Sequence, residues 1–223
     1  MKTVEQVKWR PQAFGHRSVR AIRDPVIEPL WRGDRVIVTV GGNDIAILDT
    51  EGAGVSDGTD DIVEQLQTCV LAEEVVFDGY LTRQATPVGG TIFLMGAELP
   101  TAGQMTSQML LGRGLRARSM TRELEESATE RENPLAFVAV DLLLVDGQAL
   151  LDIPLLERKR LLESALREAD LVRRGAYVRP PVDTWLSSWR ALGFRELAYK
   201  AANGRYLPGA VNDSWAIVKI PTN

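Results

Sequence analysis

A short stretch near the start of the chain, IEPLWRGDRVIV at residues 27–38, places charged side chains around a glycine turn. Glu28 precedes the turn, Gly33 lies within it, and Arg35 opens the apolar run that follows. A carboxylate and a guanidinium in this setting can bind charged ligands or pair with each other. Leu30, in the middle of the stretch, has neither charge nor lone pair, so it can take no direct part in chemistry.

Histidine and cysteine chemistry is nearly excluded by composition. The chain contains one His, His16, and one Cys, Cys69. A disulfide within one chain is therefore impossible, and a zinc site built from Cys and His is nearly so. His16 lies in a basic segment without obvious partners, so we expect an exposed residue and not a general base.

The 223 residues are 45% hydrophobic and 25% charged, which is ordinary for a globular protein. A net charge of -4 gives no overall attraction to nucleic acid or to an anionic membrane, so such binding needs a local basic patch. No apolar run is long enough to cross a bilayer, and the N-terminus lacks the apolar core of a secretory signal. We therefore expect a cytoplasmic protein.

The first half of the chain predicts an arm and then hairpins. Residues 1–26 are polar and basic, and we expect an extended arm before a domain at 27–223. RVIVTV at 35–40 and DIAILDT at 44–50 form a predicted hairpin around a Gly-Gly-Asn turn. A short helix follows, capped by Thr59 or Asp60. CVLAEEVVFDGYLTRQ at 69–84 predicts a second strand pair, with its turn at Asp78-Gly79.

The second half predicts a buried strand, two helices and two final strands. PLAFVAVDLLLVDG at 134–147 is a continuous apolar strand closed by an Asp146-Gly147 turn. Leucines recur at helical spacing through 153–173, and TWLSSWRALG at 184–193 predicts a helix ended by Gly193. ELAYKA at 196–201 and SWAIVKIP at 214–221 predict strands. Antiparallel hairpins with a few helices indicate an α+β fold.

Residues 84–133 give the least clear secondary-structure signal in the chain. They mix helix formers with glycines and contain four closely spaced arginines, Arg113, Arg116, Arg118 and Arg122. Two interpretations stay open: a solvated helix face with a loop, or a patch that contacts anions.

Two longer stretches carry a family resemblance. FVAVDLLLVDGQALLDIPLLERKRLLESAL at 137–166 and GFRELAYKAANGRYLPGAVNDSWAIVKI at 193–220 are similar to runs in the nucleotidyltransferase (adenylation) domain of ATP-dependent DNA ligases. The resemblance implies an ATP-grasp-like α+β fold of antiparallel sheets with flanking helices, and a connection to DNA repair. Family ligases continue into an OB-fold domain. Because this chain stops at Asn223, we expect no OB-fold domain here.

The family's chemistry begins with a lysine amine that attacks the α-phosphate of ATP and forms lysyl-AMP. Its first motif, Glu-x-Lys-x-Asp-Gly-x-Arg, resembles residues 28–35. Glu28, Gly33 and Arg35 fit this motif, whereas Leu30 stands at the lysine position and Arg32 at the aspartate position. Covalent adenylation at Leu30 is chemically impossible.

Two further motifs concern the carboxylates and the aromatic ring. The family's Leu-Asp-Gly-Glu is aligned with residues 71–74, where Glu74 remains and Ala72 replaces the aspartate. The family usually has Phe at the position of Val140. Valine offers no aromatic face, so the ring that stacks on the base is expected to be absent.

The last two motifs supply charged groups for phosphate and metal. Glu-Gly-Val-Val-Ala-Lys aligns with residues 195–200, so Arg195 replaces the metal-supporting glutamate and Lys200 is retained. In the final motif Lys-Val-Lys, Ile217 replaces the first lysine and Lys219 keeps the second. Metal-supporting carboxylates are lost while cations remain, so we expect no metal requirement.

Together these losses predict a pseudo-ligase that binds a phosphate-bearing ligand, such as ATP, another nucleotide or nucleic acid, or a protein partner. The candidate binding residues are Glu28, Arg32, Arg35, Glu74, Arg195, Lys200 and Lys219. Such cations could neutralise phosphate without a metal. The same residues could instead form an ion network that satisfies itself.

Two alternatives stay open. Leu30, Val140 and Ile217 could close the groove as apolar core, which would leave an interaction subunit with a protein partner or a second copy of itself. Alternatively, the domain could remain an enzyme that uses ATP without a lysyl intermediate or with a displaced lysine, and Lys200 is then the candidate. No membrane partner is expected.

Overall fold

The computed structural model describes residues 8–84 and 133–221. In these residues the strands are β1 (Ala13–Phe14), β2 (Pro25–Pro29), β3 (Asp34–Gly41), β4 (Asp44–Leu48), β5 (Glu74–Thr82), β6 (Ala136–Val145), β7 (Gln148–Ala149), β8 (Val172–Arg174), β9 (Glu196–Ala201), β10 (Val211–Asn212) and β11 (Trp215–Lys219). The helices are α1 (Asp60–Cys69), α2 (Leu155–Ala165) and α3 (Asp183–Ala191), with a short 3-10 turn at Val19–Ala21.

The larger sheet has the strand order β4-β3-β5-β6-β7, and β8 pairs in parallel with β6. One face packs against α1 and α2, where Leu66 and Leu162 meet Phe77 and Leu142 in the main apolar core. β6 is buried along nearly its whole length because both of its faces are covered. The continuous apolar run predicted this burial correctly.

The smaller sheet has the order β11-β9-β2, and all its pairs are antiparallel. Its register places Lys200 opposite both Val26 and Trp215, and Ala198 opposite both Glu28 and Ile217. Since directly opposed residues point to the same side of a sheet, Glu28, Lys200 and Ile217 share one face.

The predicted strand pair at 69–84 is wrong. β5 is a single strand that runs through Asp78 and Gly79 without turning. Gly79 pairs with Val36 on one side and Ala139 on the other, and a Cβ there would lie 2.4 Å from the Phe137 ring. Glycine therefore serves close packing here. By contrast, Asp146 (φ 45°) and Gly147 (φ 77°) form the predicted turn.

The helix predicted at 153–173 is shorter than expected. α2 ends at Ala165, and Leu166 takes an extended conformation and bridges Val70. The chain then enters β8. The leucine periodicity could not reveal this ending because apolar residues suit a buried strand as well as a helix face. Gly193, at φ 87°, follows α3 as predicted.

The described part of the predicted arm is packed on the domain. Ala13 and Phe14 pair in parallel with Val211 and Asn212, and Gln12 is 2% exposed. His16 is exposed, as expected. The four arginines between 113 and 122 lie outside the described residues. Among the helices of the described ranges, none is long and apolar enough to cross a membrane.

Candidate functional site

Arg35 and Asp78 form a forked ion pair between the two sheets. The register of β3 and β5 sets Arg35 opposite Tyr80 and Ile37 opposite Asp78, so both charged residues lie on one sheet face. Arg35 donates from Nε to Asp78 Oδ1 at 2.6 Å and from Nη2 to Oδ2 at 2.5 Å. The Tyr206 hydroxyl donates to the same carboxylate at 2.7 Å. Asp78 thus neutralises Arg35 within the structure.

Glu28 forms salt bridges with two lysines. Lys200 Nζ lies 2.7 Å from Glu28 Oε2, and Lys159 Nζ lies 2.7 Å from Oε1. Lys200 Nζ also lies 4.1 Å from the centre of the Trp215 ring, a cation–π contact. All three charged side chains are at most 4% exposed. Two ammonium groups therefore share one carboxylate in a dry environment.

Burial and charge shift the pKa values of this trio. Burial alone would raise the pKa of Glu28, but the attraction of Lys159 and Lys200 outweighs it and lowers the pKa. Burial lowers the pKa of Lys159, and neighbouring Lys200 adds to that effect against the attraction of Glu28. Ionised Glu28 is thus the group that holds the trio together.

Asp141 and Arg158 form a third buried pair. Arg158 donates to both oxygens of Asp141 at 2.8 Å, and neither side chain is exposed. Arg158 also donates to the backbone oxygens of Ile153 and Gly204. This pair ties α2 to β6 and to the loop after β9. We call the seven residues of the three groups the interior ionic layer: Glu28, Arg35, Asp78, Asp141, Arg158, Lys159 and Lys200.

Leu30 and Val140 pack against one apolar cluster that includes Trp31, Phe194 and Trp189. Val140 is 2% exposed, and the rings of Trp31 and Phe194 meet edge to face at 4.9 Å. The expectation that these two positions serve as apolar core agrees with this packing. For Ile217 that expectation is wrong, because its side chain is 41% exposed.

Ala72 and Glu74 lie away from the interior ionic layer. Glu74 is exposed at the beginning of β5, opposite Gly41, and Ala72 packs at the edge of the main core. Glu74 is four residues before Asp78, which is about 13 Å along a strand. The sequence Phe77-Asp78-Gly79-Tyr80 holds the Asp-Gly pair that residues 71–74 lack. Glu74 therefore lies apart from the buried site cations, and Asp78 is the carboxylate that pairs with Arg35.

Three candidate cations are exposed at one end of the smaller sheet. Arg32, Arg195 and Lys219 form what we call the basic rim. Leu30 N donates to Glu196 O at 2.9 Å, and Ile220 N donates to Arg195 O at 2.8 Å. In the register of β11 and β9, Lys219 lies opposite Glu196. These backbone bonds bring the three cations into one neighbourhood at the end of β2, β9 and β11.

Sequence reasoning missed Asp78, Asp141, Arg158 and Lys159. Asp78 was assigned to a turn, and the others were taken as parts of structural elements. A signal existed for α2: Leu155, Arg158, Lys159 and Leu162 are spaced so that they share one helix face, and all four are buried. A charged pair on the apolar face of a helix indicates buried ion pairs.

A metal site does not emerge from the described residues. Among residues 8–84 and 133–221, there is no group of three His, Cys, Asp or Glu side chains that could hold an ion. The carboxylates of the interior ionic layer are each bound to arginine or lysine. This donor set suits internal charge neutralisation and does not fit a metal.

The sequence matches a known protein family over most of its length. Residues 16–219 match the family described as ATP dependent DNA ligase domain, so the chain belongs to that family. A DNA ligase of Archaeoglobus fulgidus is 26% identical over 212 residues, which cover 91% of this chain and 33% of that protein. DNA ligase 2 of Methanosarcina mazei is 25% identical over 207 residues, covering 89% and 33%. The chain thus spans about a third of the length of these relatives.

Solved structures show the same fold. The ligase domain of M. tuberculosis LigD superimposes with a TM-score of 0.61 at 23% identity, over 95% of this chain and 59% of that one. A Lig E DNA ligase gives 0.54 at 12% identity, over 96% and 69%. The fold is that of DNA ligase nucleotidyltransferase domains, an α+β arrangement of antiparallel sheets with few helices.

Proposed function

We propose that this ligase-type domain is catalytically degenerate and forms no lysyl-AMP at position 30. The observation that carries the proposal is the packing of Leu30 against the apolar cluster of Trp31 and Val140. Two of the retained cations, Arg35 and Lys200, are already paired with Asp78 and Glu28. A side chain without a lone pair cannot attack phosphorus, and these paired cations are not available to an incoming triphosphate.

The test is exposure of the purified protein to ATP with magnesium or manganese, followed by intact mass spectrometry. We expect no AMP adduct on the wild type. We also expect none on Leu30→Lys, because Arg32 and Arg195 still occupy acidic positions of the family motifs. The ligase domain of M. tuberculosis LigD serves as the positive control. A stoichiometric adduct on the wild type would overturn the proposal, and peptide mapping would show whether Lys200 or Lys159 carries it.

The same proposal assigns ligand binding to the basic rim. Arg32, Arg195 and Lys219 are exposed beside the position where the family has its nucleophile. Exposed guanidinium and ammonium groups bind phosphates of a nucleotide or a nucleic acid, and such binding weakens as salt rises. The proposed ligand is therefore phosphate-bearing, held by cations and without a metal.

Binding is tested with ATP and with a 5′-phosphorylated duplex at several salt concentrations. We expect binding at low salt that weakens in Lys219→Ala and further in the double variant Arg32→Ala/Lys219→Ala. Lys8→Ala removes an exposed lysine that is distant in sequence from the three rim residues, and it is the charge-matched control. Failure of both probes to bind at low salt would refute this part of the proposal.

A second candidate function is an interaction subunit, and one observation favours it. Ile217 is 41% exposed on the sheet face that also carries Glu28 and Lys200. An exposed isoleucine beside cations suits a protein partner as well as a nucleic acid. Size-exclusion chromatography with light scattering distinguishes the interaction subunit from the ligand-binding domain. A stable homodimer that dissociates in the variant Ile217→Asp would favour the interaction subunit.

A further inference from the structure

β11 is an edge strand of the smaller sheet. In the part of the chain that the structure describes, β9 is its one partner strand, and the two run antiparallel. Two backbone bonds show which residues face β9. Ala201 N donates to Ser214 O at 2.9 Å before β11 begins, and Ile220 N donates to Arg195 O at 2.8 Å after it ends. These two bonds fix the direction of every backbone group between them.

One side of the β11 backbone points away from the sheet. Opposed residues in an antiparallel pair alternate between those that share backbone hydrogen bonds and those that do not. Counting by two between the bonds just described, Ala216 and Val218 direct their N–H and C=O groups to β9. Trp215, Ile217 and Lys219 therefore direct theirs to the outer edge.

The outer edge is occupied at its beginning and open further along. Gly15 N donates to Trp215 O at 2.9 Å, so a segment of this chain already takes the first outward-facing carbonyl. Beyond that point, Ile217 is 41% exposed and Lys219 is exposed. These two residues present two N–H groups, two carbonyl oxygens, an apolar side chain and an ammonium. An edge of this kind is a template for one more strand.

We propose that this edge binds a partner protein by strand addition. The partner contributes an extended antiparallel segment, with a carboxylate opposite Lys219 and, two residues later, an apolar side chain opposite Ile217. Backbone hydrogen bonds supply the affinity, and the two opposed side chains supply the selectivity. This inference rests on the second candidate function, the interaction subunit, and specifies its surface and its partner.

Charge complementarity favours an acidic segment over a second copy of this chain. Opposite charges on directly opposed residues stabilise a strand pair, whereas like charges destabilise it. Lysine on an edge strand is a device that keeps identical edges apart. Pairing of two β11 edges would bring two basic rims together. An acidic strand, by contrast, is attracted to Lys219 and to the cations at the same end of the sheet.

The probe is a synthetic peptide, Thr-Glu-Thr-Ile-Thr, blocked at both ends and titrated into the isotope-labelled protein. We expect saturable NMR shift changes at the amides of Ile217 and Lys219, with slower hydrogen exchange at both. The peptide with lysine in place of glutamate should bind about fivefold more weakly, because like charges then oppose each other. Absence of shift changes at these amides, or equal affinity for both peptides, would overturn the inference.

Two N-methylated peptides test the backbone bonds without any change to the protein. The glutamate amide of the probe faces β11, so its N-methylation should weaken binding about fivefold, the effect of one lost hydrogen bond. The amide of the central threonine points away, so its N-methylation should leave the affinity unchanged. Equal affinities of the two methylated peptides would contradict strand addition.

Proline substitutions test the direction of the β11 backbone. Proline is tolerated on an edge strand where its nitrogen faces solvent. Ile217→Pro should therefore keep the wild-type circular dichroism spectrum and bind the probe about fivefold more weakly. Val218→Pro, the matched control, removes a bond to β9 and should lower the urea midpoint. If Val218→Pro alone were as stable as the wild type, the assigned direction would be wrong. If Ile217→Pro does not fold, the methylated peptides decide the matter with the wild type.

The outcome is separable from the proposals on which it builds. Ile217→Pro retains the three cations of the basic rim, so its binding of ATP and of the phosphorylated duplex should equal that of the wild type. A homodimer that Ile217→Asp dissociates, without binding of the probe, would overturn strand addition and leave the interaction subunit standing. Probe binding by a monomer would support strand addition to a different protein.

Discussion

The interior ionic layer and the basic rim both contain arginine and lysine, but in different surroundings. Arg35 and Lys200 are 12% and 3% exposed and have carboxylate partners at 2.5–2.7 Å. Arg32 and Lys219 are exposed to solvent. Because low dielectric strengthens a charge pair and raises the penalty for breaking it, we expect removal of one partner in the first region to be strongly destabilising. In the second region solvent screens the charges, so we expect them to contribute little to stability.

This comparison separates two meanings of a retained motif residue. Arg35 matches the family motif, yet its position is explained by the fork to Asp78. Lys219 also matches, and the register places it at a strand end. Retention of residue type therefore does not distinguish a ligand-binding cation from a structural one, whereas burial and partners do. The following variants measure the difference between the two regions.

The largest effect is expected for Arg158→Met. It leaves the Asp141 carboxyl group buried without its partner, which should cost about 3–5 kcal/mol of unfolding free energy. Chemical denaturation monitored by circular dichroism measures this loss. The double change Arg158→Met/Asp141→Leu should recover a large part of it, since neither side chain of the pair then carries a charge. A single variant as stable as the wild type would contradict the buried pair.

Glu28→Gln is expected to cost about 2–3 kcal/mol, because two neighbouring ammonium groups lose their shared carboxylate. The pKa of Glu28 is lowered from its ordinary value of 4.5, so its stabilisation is complete above pH 4.5 and is lost as the pH falls through the lower folded-state value. Thermal unfolding between pH 6 and about pH 3 should show a weaker pH dependence in the variant. Glu51→Gln, an exposed glutamate, should behave like the wild type.

Val140→Ala and Ile217→Ala compare two degenerate family positions. The first removes methyl groups from a 2% exposed site and should cost about 2 kcal/mol. The second changes a 41% exposed side chain and should alter stability by less than about 0.5 kcal/mol. Equal losses in urea denaturation would mean that Ile217 belongs to the core after all.

The smallest effect on stability is expected for Lys219→Ala, within about 0.5 kcal/mol of the wild type. Its effect on binding should appear in the salt dependence. The slope of log K against log salt should become shallower by roughly 0.7–0.9 for each phosphate that the variant no longer neutralises. An unchanged slope together with a loss of stability would mean that Lys219 stabilises the fold and does not bind the ligand.

Much of the fold could be predicted from the sequence. The buried run of β6, the Asp146-Gly147 turn and the end of α3 shortly before Gly193 follow from local pattern and turn chemistry. The turn expected at Asp78-Gly79 was wrong because Asp-Gly has two uses, a turn or a close approach between strands. The neighbouring Phe137 ring decides between them. That ring belongs to a distant strand, β6, and cannot be read from local sequence.

The candidate site could be predicted only as a set of residue types. Leu30 was identified as inert from its chemistry alone. Its packing with Val140, by contrast, depends on how the two sheets meet. Lys159 and Asp78 were missed because helix periodicity and turn propensity explained them locally.

The sequence by itself determined the family, the α+β class and the absence of a nucleophile at position 30, because these depend on residue identity and on short-range periodicity. The tertiary structure decided which cations are neutralised. It brings Lys159 to Glu28 and Asp78 to Arg35 across long separations along the chain. Charge neutralisation is a matter of distance and burial, and both arise only when the sheets and α2 pack together.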